Sequence, residues 1–302
     1  MSQRSPFLVL GCWGTLTIST FCAFQPVAAS KGPLVRVLVL DASQATFRSA
    51  GTKSFWVKGI YPSRKRINRL EIKRKQGKYQ VFVNGTLHRK YYLRDGNVFS
   101  VMSYNPRGVW LGKRRYRGEL RIRLGLNTLK VINHLKIEDY LLSVVAGEMP
   151  KDWPLQALQA QAIASRTYVL KKRKKNTLYD VTSNEANQIY LGVESETPST
   201  SKAVRTTKSL VITHKGKLID SVFHSSSGGL TEASGSIWKQ QLPYLLGVKD
   251  YDQINPTYQW NIRFGQKKLK TLFPEIKGLT NIILNKVSPS GRILSASVQG
   301  PS

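Results

Sequence analysis

The amino-acid sequence predicts an α+β protein, on three observations. Short β-branched and aromatic runs broken by turn residues fill the chain from Leu34 to about Lys113. Two helical patterns occupy the middle, and strand-like runs return after them without strict alternation. The expected architecture is a basic, β-rich N-terminal half and a central helix pair packed against mixed or antiparallel strands.

The first segment is set apart from the rest. Met1, Ser2, Gln3 and Arg4 precede a largely apolar run from Phe7 to Phe24, and Val27, Ala28 and Ala29 stand before Ser30. This reads as a secretory signal peptide over residues 1–29, so the protein is expected outside the cytoplasm, in periplasm or cell wall; an uncleaved membrane anchor is the alternative. Both cysteines, Cys12 and Cys22, fall inside it. The remaining chain has no thiol for a disulfide, a metal or a nucleophile.

From Leu34 onward the strand signals are Val35 to Leu40, Tyr79 to Val83 and Asn97 to Met102, with Asn84 and Gly85 as a hairpin turn. Basic residues crowd this region, at Arg64, Lys65, Arg66, Arg69, Lys73, Arg74, Lys75 and Lys78, and again from Lys113 to Arg117. The whole chain carries 47 Lys and Arg against 17 acidic residues, a formal charge of +30. Such a chain seeks polyanions. With an export signal the expected partners are anionic envelope polymers or a membrane surface, and no nucleic acid; a merely solvated basic face is the plainer reading.

In the middle, Leu141, Leu142, Val144 and Val145 follow Glu138 and Asp139, which suit a helix N-terminus. This helix is expected to end near Glu148. Pro150 and Pro154 then punctuate the chain, and Asp152 is the expected cap of a second helix reaching about Lys175, with Leu155, Leu158, Ala162 and Val169 on one face. Strand-like runs follow at Ser209 to His214 and Leu218 to Phe223 around a Lys215, Gly216 turn.

The chemistry must come from carboxylates, histidines or serines. Ser225, Ser226 and Ser227 beside His224 lack nucleophile-elbow spacing. His88, His134, His214 and His224 are scattered without ligand spacing, so no metal site is expected. Glu148 sits at a helix C-terminus beside Met149 and Trp153, and both the dipole and desolvation there raise a carboxylate's pKa toward the range of a general acid. A surface residue at a helix end is the competing reading.

Three blocks bear on that choice: Glu138 to Leu141 with Val144 to Pro150 and Trp153 to Tyr168; Gln188, Ile189, Tyr190 and Gly192; and Phe223 to Gly229 with Thr231 and Glu232. Together they resemble the sporulation protein D family, which includes proteins described as amidase enhancers. The resemblance covers roughly residues 116–260 of a domain expected at 114–302, leaving 30–113 as a basic β-rich region. It implies a peptidoglycan lytic transglycosylase acting on peptide-stripped glycan strands, with Glu148 as catalytic residue and no cofactor. It also implies that Gln161, Arg166, Tyr168, Gln188, His224, Ser225, Ser226, Ser227 and Gly228 line the glycan groove.

Some family members carry zinc-holding cysteines and a histidine before the Gln-x-Tyr block. Here that stretch reads Thr182, Ser183, Asn184, Glu185, Ala186, Asn187, so no structural zinc is expected. One or two further family strands are expected after Arg292, which leaves truncation at the C-terminus open. The rival function is a non-catalytic glycan-binding partner of a cell-wall amidase.

Overall fold

Residues 32–59, 67–88, 96, 98–103 and 105–301 are described by the computed structural model. The expected signal peptide, both cysteines, Arg64 to Arg66 and Asn97 lie outside the described residues. The chain from Pro33 to Ser302 clusters as one unit.

Period-two alternation builds its first half. The strands are β1 (Leu34–Ala42), β2 (Gln44–Arg48), β3 (Phe55–Lys58), β4 (Arg69–Lys75), β5 (Lys78–Val83) and β6 (Thr86–Leu87). Next come β7 (Val98–Ser103), β8 (Val109–Leu111), β9 (Arg114–Tyr116), β10 (Glu119–Leu124) and β11 (Leu129–Lys136). Along β10, Leu120, Ile122 and Leu124 are buried while Arg121 and Arg123 face out, as a half-buried strand requires. Asn84 and Gly85 adopt φ of 50° and 86°, the left-handed pair of a type I′ turn, and join β5 to β6 as predicted.

Then follow α1 (Ile137–Glu148), α2 (Leu155–Lys172), β12 (Val181–Thr182), α3 (Pro198–Thr206), β13 (Thr213–His214) and β14 (Lys217–Leu218). The last elements are α4 (Ser234–Ile237), α5 (Gln266–Leu272), β15 (Asn281–Val287) and β16 (Ile293–Gln299). The α+β class is as expected.

Two six-stranded sheets dominate, ordered β12-β1-β11-β10-β7-β3 and β6-β5-β4-β2-β8-β9. Strands from both sides of Lys113 are hydrogen-bonded in the first of them: β1 lies between antiparallel β11 and parallel β12. The two sheets share one apolar core, in which Phe47, Ile72 and Val81 join Val35, Ile122 and Val131, and Tyr140 and Val144 of α1 complete it.

Two local rules end and start the central helices. Pro150 drives the residue before it out of the helical region, and Met149 is extended at φ −135°, ψ 144°, so α1 stops at Glu148. Thr197 caps α3, its side chain accepting from the Thr200 amide at 3.3 Å, with Pro198 in the first turn.

Three expectations need correction. Asp152 does not cap α2: Pro154 holds that place, and Asp152 is exposed and paired with Lys151 at 3.0 Å. That helix ends at Lys172 rather than Lys175, and Leu158, Ala162 and Val169 are buried while Leu155 is only partly so. The runs at Ser209 to His214 and Leu218 to Phe223 shrink to a two-residue ladder of β13 and β14, because Ser209 turns at φ 66° just after α3 and the chain beyond Leu218 takes loop contacts. The Lys215, Gly216 turn between them is present, with φ of 48° and 74°.

Candidate functional site

The last turn of α1 presents Glu148 to a segment that two buried tyrosines hold in place. Tyr190, 2% exposed, packs against Tyr140 at 5.1 Å between ring centroids and against Tyr116 at 5.6 Å. Its hydroxyl donates to Asn133 Oδ1 at 2.8 Å, and Asn133 Nδ2 donates to the Arg117 carbonyl at 2.8 Å. Two residues earlier, Gln188 accepts from the Tyr140 hydroxyl at 3.1 Å. With Gln188 and Tyr190 both turned inward, extended alternation turns Ile189 the other way. Its amide donates to Glu148 Oε1 at 2.7 Å.

Gly147 makes the approach possible. A Cβ at this position would lie 2.8 Å from the Ile189 carbonyl oxygen. Glycine inside a helix is unfavourable by about 1 kcal/mol relative to alanine, so its presence here has a packing reason.

Glu148 is half-buried, and its pKa is raised chiefly by desolvation. The Ile189 amide opposes the rise, and the charge of Glu185 adds to it. A carboxyl so placed gives up its proton less readily than a solvated glutamate.

Around it opens a cavity of about 950 Å³. Glu148, Gln161, Tyr168, His224 and Ser225 share its wall with Trp153, Phe223, Asn187 and Glu185. Five of the ten residues expected in the site thus line this cavity. Gln161 is tied to Ser165 Oγ at 3.0 Å, and the Tyr168 hydroxyl accepts from Asn187 at 3.0 Å. Tyr168 meets Phe223 edge-on at 6.5 Å.

The other expected residues stand elsewhere. Arg166, 1% exposed, grips Glu138 through two hydrogen bonds of 2.8 and 2.9 Å and donates to the Leu210 and Val204 carbonyls at 3.2 and 3.3 Å. It ties the start of α1 to the end of α3. Gln188 is fully buried as the support described above.

The serine loop is organised by acids that the sequence reading missed. The Asp252 carboxylate accepts from the Ser226 hydroxyl at 2.5 Å and from the amides of Ser227, Gly228 and Gly229 at 2.6, 3.0 and 2.9 Å. Asp250 takes the Ser227 hydroxyl at 2.7 Å. These donors hold Asp252 at a pKa of about 2, the Ser226 hydroxyl contributing most. This network already engages these donors, and Ser226, Ser227 and Gly228 do not line the cavity around Glu148. It also leaves no serine hydroxyl bonded to His224 among the described residues. The available signal was the Asp-Tyr-Asp spacing at 250–252 and the Asn255 after it, whose amide donates to the Ser225 carbonyl at 2.6 Å.

Asn184 and Asn187 tie together the stretch before Gln188. Asn187 Oδ1 accepts from the Thr182 amide and hydroxyl at 2.8 and 3.0 Å, and Asn184 Oδ1 accepts from the Ala186 amide at 3.2 Å.

A family model described as Stage II sporulation protein matches residues 126–214. An uncharacterized protein of Brachyspira hyodysenteriae is 35% identical over 51% of this chain and 42% of its own length. A Bacillus subtilis protein named amidase enhancer is 40% identical over 43% of this chain and 18% of its own. The stage II sporulation protein D of Bacillus subtilis is 28% identical over 42% and 43%. The chain thus spans less than half the length of these relatives. The matched segment runs from just before β11 to β13 and contains both Glu148 and the Ile189 amide that holds it, so it is the part of the chain around Glu148 that is similar to the stage II sporulation protein family.

Proposed function

We propose that this protein acts in the cell wall, outside the cytoplasmic membrane, as a lytic transglycosylase that cleaves peptidoglycan glycan strands. One observation carries the reading: a half-buried carboxyl with a raised pKa, held by a backbone amide, in an open cavity walled by Trp153, Tyr168 and Phe223. Aromatic faces of this kind suit sugar rings.

An N–H can only donate, so the Ile189 amide keeps Glu148 Oε1 as an acceptor and leaves the acidic proton to Oε2. Neutral Glu148 gives that proton to the glycosidic oxygen between N-acetylmuramic acid and N-acetylglucosamine as the bond breaks. The resulting carboxylate takes a proton from the muramic acid 6-hydroxyl, which closes on the anomeric carbon as a 1,6-anhydro ring. No water is consumed, and Glu148 returns to its starting state.

A hydrolase would place a second carboxylate about 5–10 Å from the first. Asp152 is exposed and away from the cavity wall, whereas Glu185 lines it. The relative named amidase enhancer supports a second reading, in which the chain binds glycan and stimulates a cell-wall amidase without cleaving.

Digestion of peptide-stripped and intact peptidoglycan, with fragments read by mass spectrometry, separates these. Anhydro-muramic ends are expected from the protein and none from Glu148→Gln. Reducing ends that disappear in Glu185→Gln would make it a hydrolase; binding without any cleavage would leave the amidase-partner reading. The raised pKa also sets a sign. Activity is lost as pH rises through the Glu148 value, on a limb lying above the usual glutamate range.

A further inference from the structure

The basic first half lies outside residues 126–214, and the reaction above gives it no task. The second sheet puts its cations in order. Register sets Arg69 of β4 opposite Arg48 of β2, Arg48 opposite Trp110 of β8, and Trp110 opposite Arg115 of β9. This row points outward, because the flanking Phe47, Leu70, Val109, Leu111 and Tyr116 are buried on the other face.

Arg48 lies 5.5 Å and Arg115 4.9 Å from the Trp110 ring centroid. On the same face Lys73 lies 5.4 Å from the Phe82 ring. Contact with the rings holds these cations in fixed places instead of leaving them to sample solvent.

Like charges directly opposite in a sheet are destabilising, so the Arg48 and Arg69 pairing has no folding rationale of its own. Glu71 offsets part of the charge by pairing with Arg69 and Lys73, and Glu194 pairs with Arg115. Arg48 is exposed and donates to the Gly112 carbonyl at 3.0 Å. The Arg115 amide and side chain both donate to Glu194, at 2.9 and 2.7 Å, and Glu194 follows soon after Ile189 in the chain. The edge of this face is therefore tied to the segment that holds Glu148.

Chemistry selects the partner. Removing a stem peptide leaves the lactyl group of muramic acid as a free carboxylate, so a stripped strand is a polyanion with one carboxylate per disaccharide. We propose that the outer face of β4, β2, β8 and β9 is a second binding site for stripped glycan, with exposed Arg48 taking a lactyl carboxylate and Trp110, one strand over, stacking on the adjoining sugar. This rests on the glycan reading above.

The test measures binding by the full chain carrying Glu148→Gln, so that strands are not consumed, with and without Arg48→Ala and Trp110→Ala together. The double substitution is expected to weaken binding to stripped strands at least about tenfold. Amidating the strand carboxylates should weaken binding similarly, and affinity for neutral N-acetylglucosamine oligomers should not change. Arg48→Gln alone, at an exposed position, gives a smaller loss in the same direction and serves if the double variant is unstable. Equal binding with and without the substitutions overturns the proposal. So does tighter binding to poly(glycerol phosphate) than to glycan of equal charge, which would give the face to phosphodiester polymers. Failure of the transglycosylase reading is seen separately, as absence of anhydro ends from the parent protein while this binding persists.

Discussion

At the scale of single residues, Gly147 and Ile189 set the position of the Glu148 carboxyl on which the proposed chemistry turns. Gly147→Ala brings a Cβ to 2.8 Å from a backbone oxygen that cannot rotate away, so the Ile189 segment must shift. The helix itself would favour alanine. The expected outcome is a near-normal melting temperature with a rate on stripped glycan lower by roughly 10²-fold, since a displacement near 1 Å has that effect on catalysis. An unchanged rate and pH profile would show that the amide contact is idle. His134 gives a separate pH signature. Desolvation, with Arg121 next, lowers its pKa from 6.5 to about 4, so the unfolded chain binds the extra proton between those values. Stability is then full above pH 6.5 and falls as pH drops through about 4. His134 is only partly buried, so with solvent screening the loss is no more than about 2 kcal/mol. Melting curves of the protein and His134→Gln from pH 7 to 4 should differ in slope over that window. Asp252 acts further down, its contribution disappearing only as pH falls from the normal aspartate value toward about 2.

At the scale of elements, the helix trio depends on a buried cation. Arg166 joins α1, α2 and α3 through Glu138 and the carbonyls of Leu210 and Val204. Arg166→Met keeps the length but strands the Glu138 carboxylate and two backbone carbonyls, and about 2–4 kcal/mol of stability is expected to be lost, read by denaturant unfolding. A fall in glycan affinity without a fall in stability would return Arg166 to the groove. Some elements were legible locally: the α1 stop before Pro150 and the Asn84, Gly85 turn each follow from one or two residues. The serine loop was not. Its shape comes from Asp250, Asp252 and Asn255, more than twenty residues downstream, and small polar residues alone do not reveal what they bind.

At the scale of the molecule, β1 is the keystone of the first sheet, since it bonds to β11 on one side and β12 on the other. A fragment of residues 114–302 would leave both of those edges open and remove every strand of the second sheet but β9. It is expected to give no cooperative thermal transition, whereas a cooperative one would mark an independent domain. Sequence by itself determined the α+β class, the positive charge, the end of α1 at Glu148 and the family blocks, because these rest on periodicity, composition and short-range sterics. Only the tertiary structure decided that Arg166 and Gln188 are supports, that the Ile189 amide serves Glu148, and that scattered arginines form one row. Those facts depend on burial and pairing between residues distant in sequence, for which the chain has no local code.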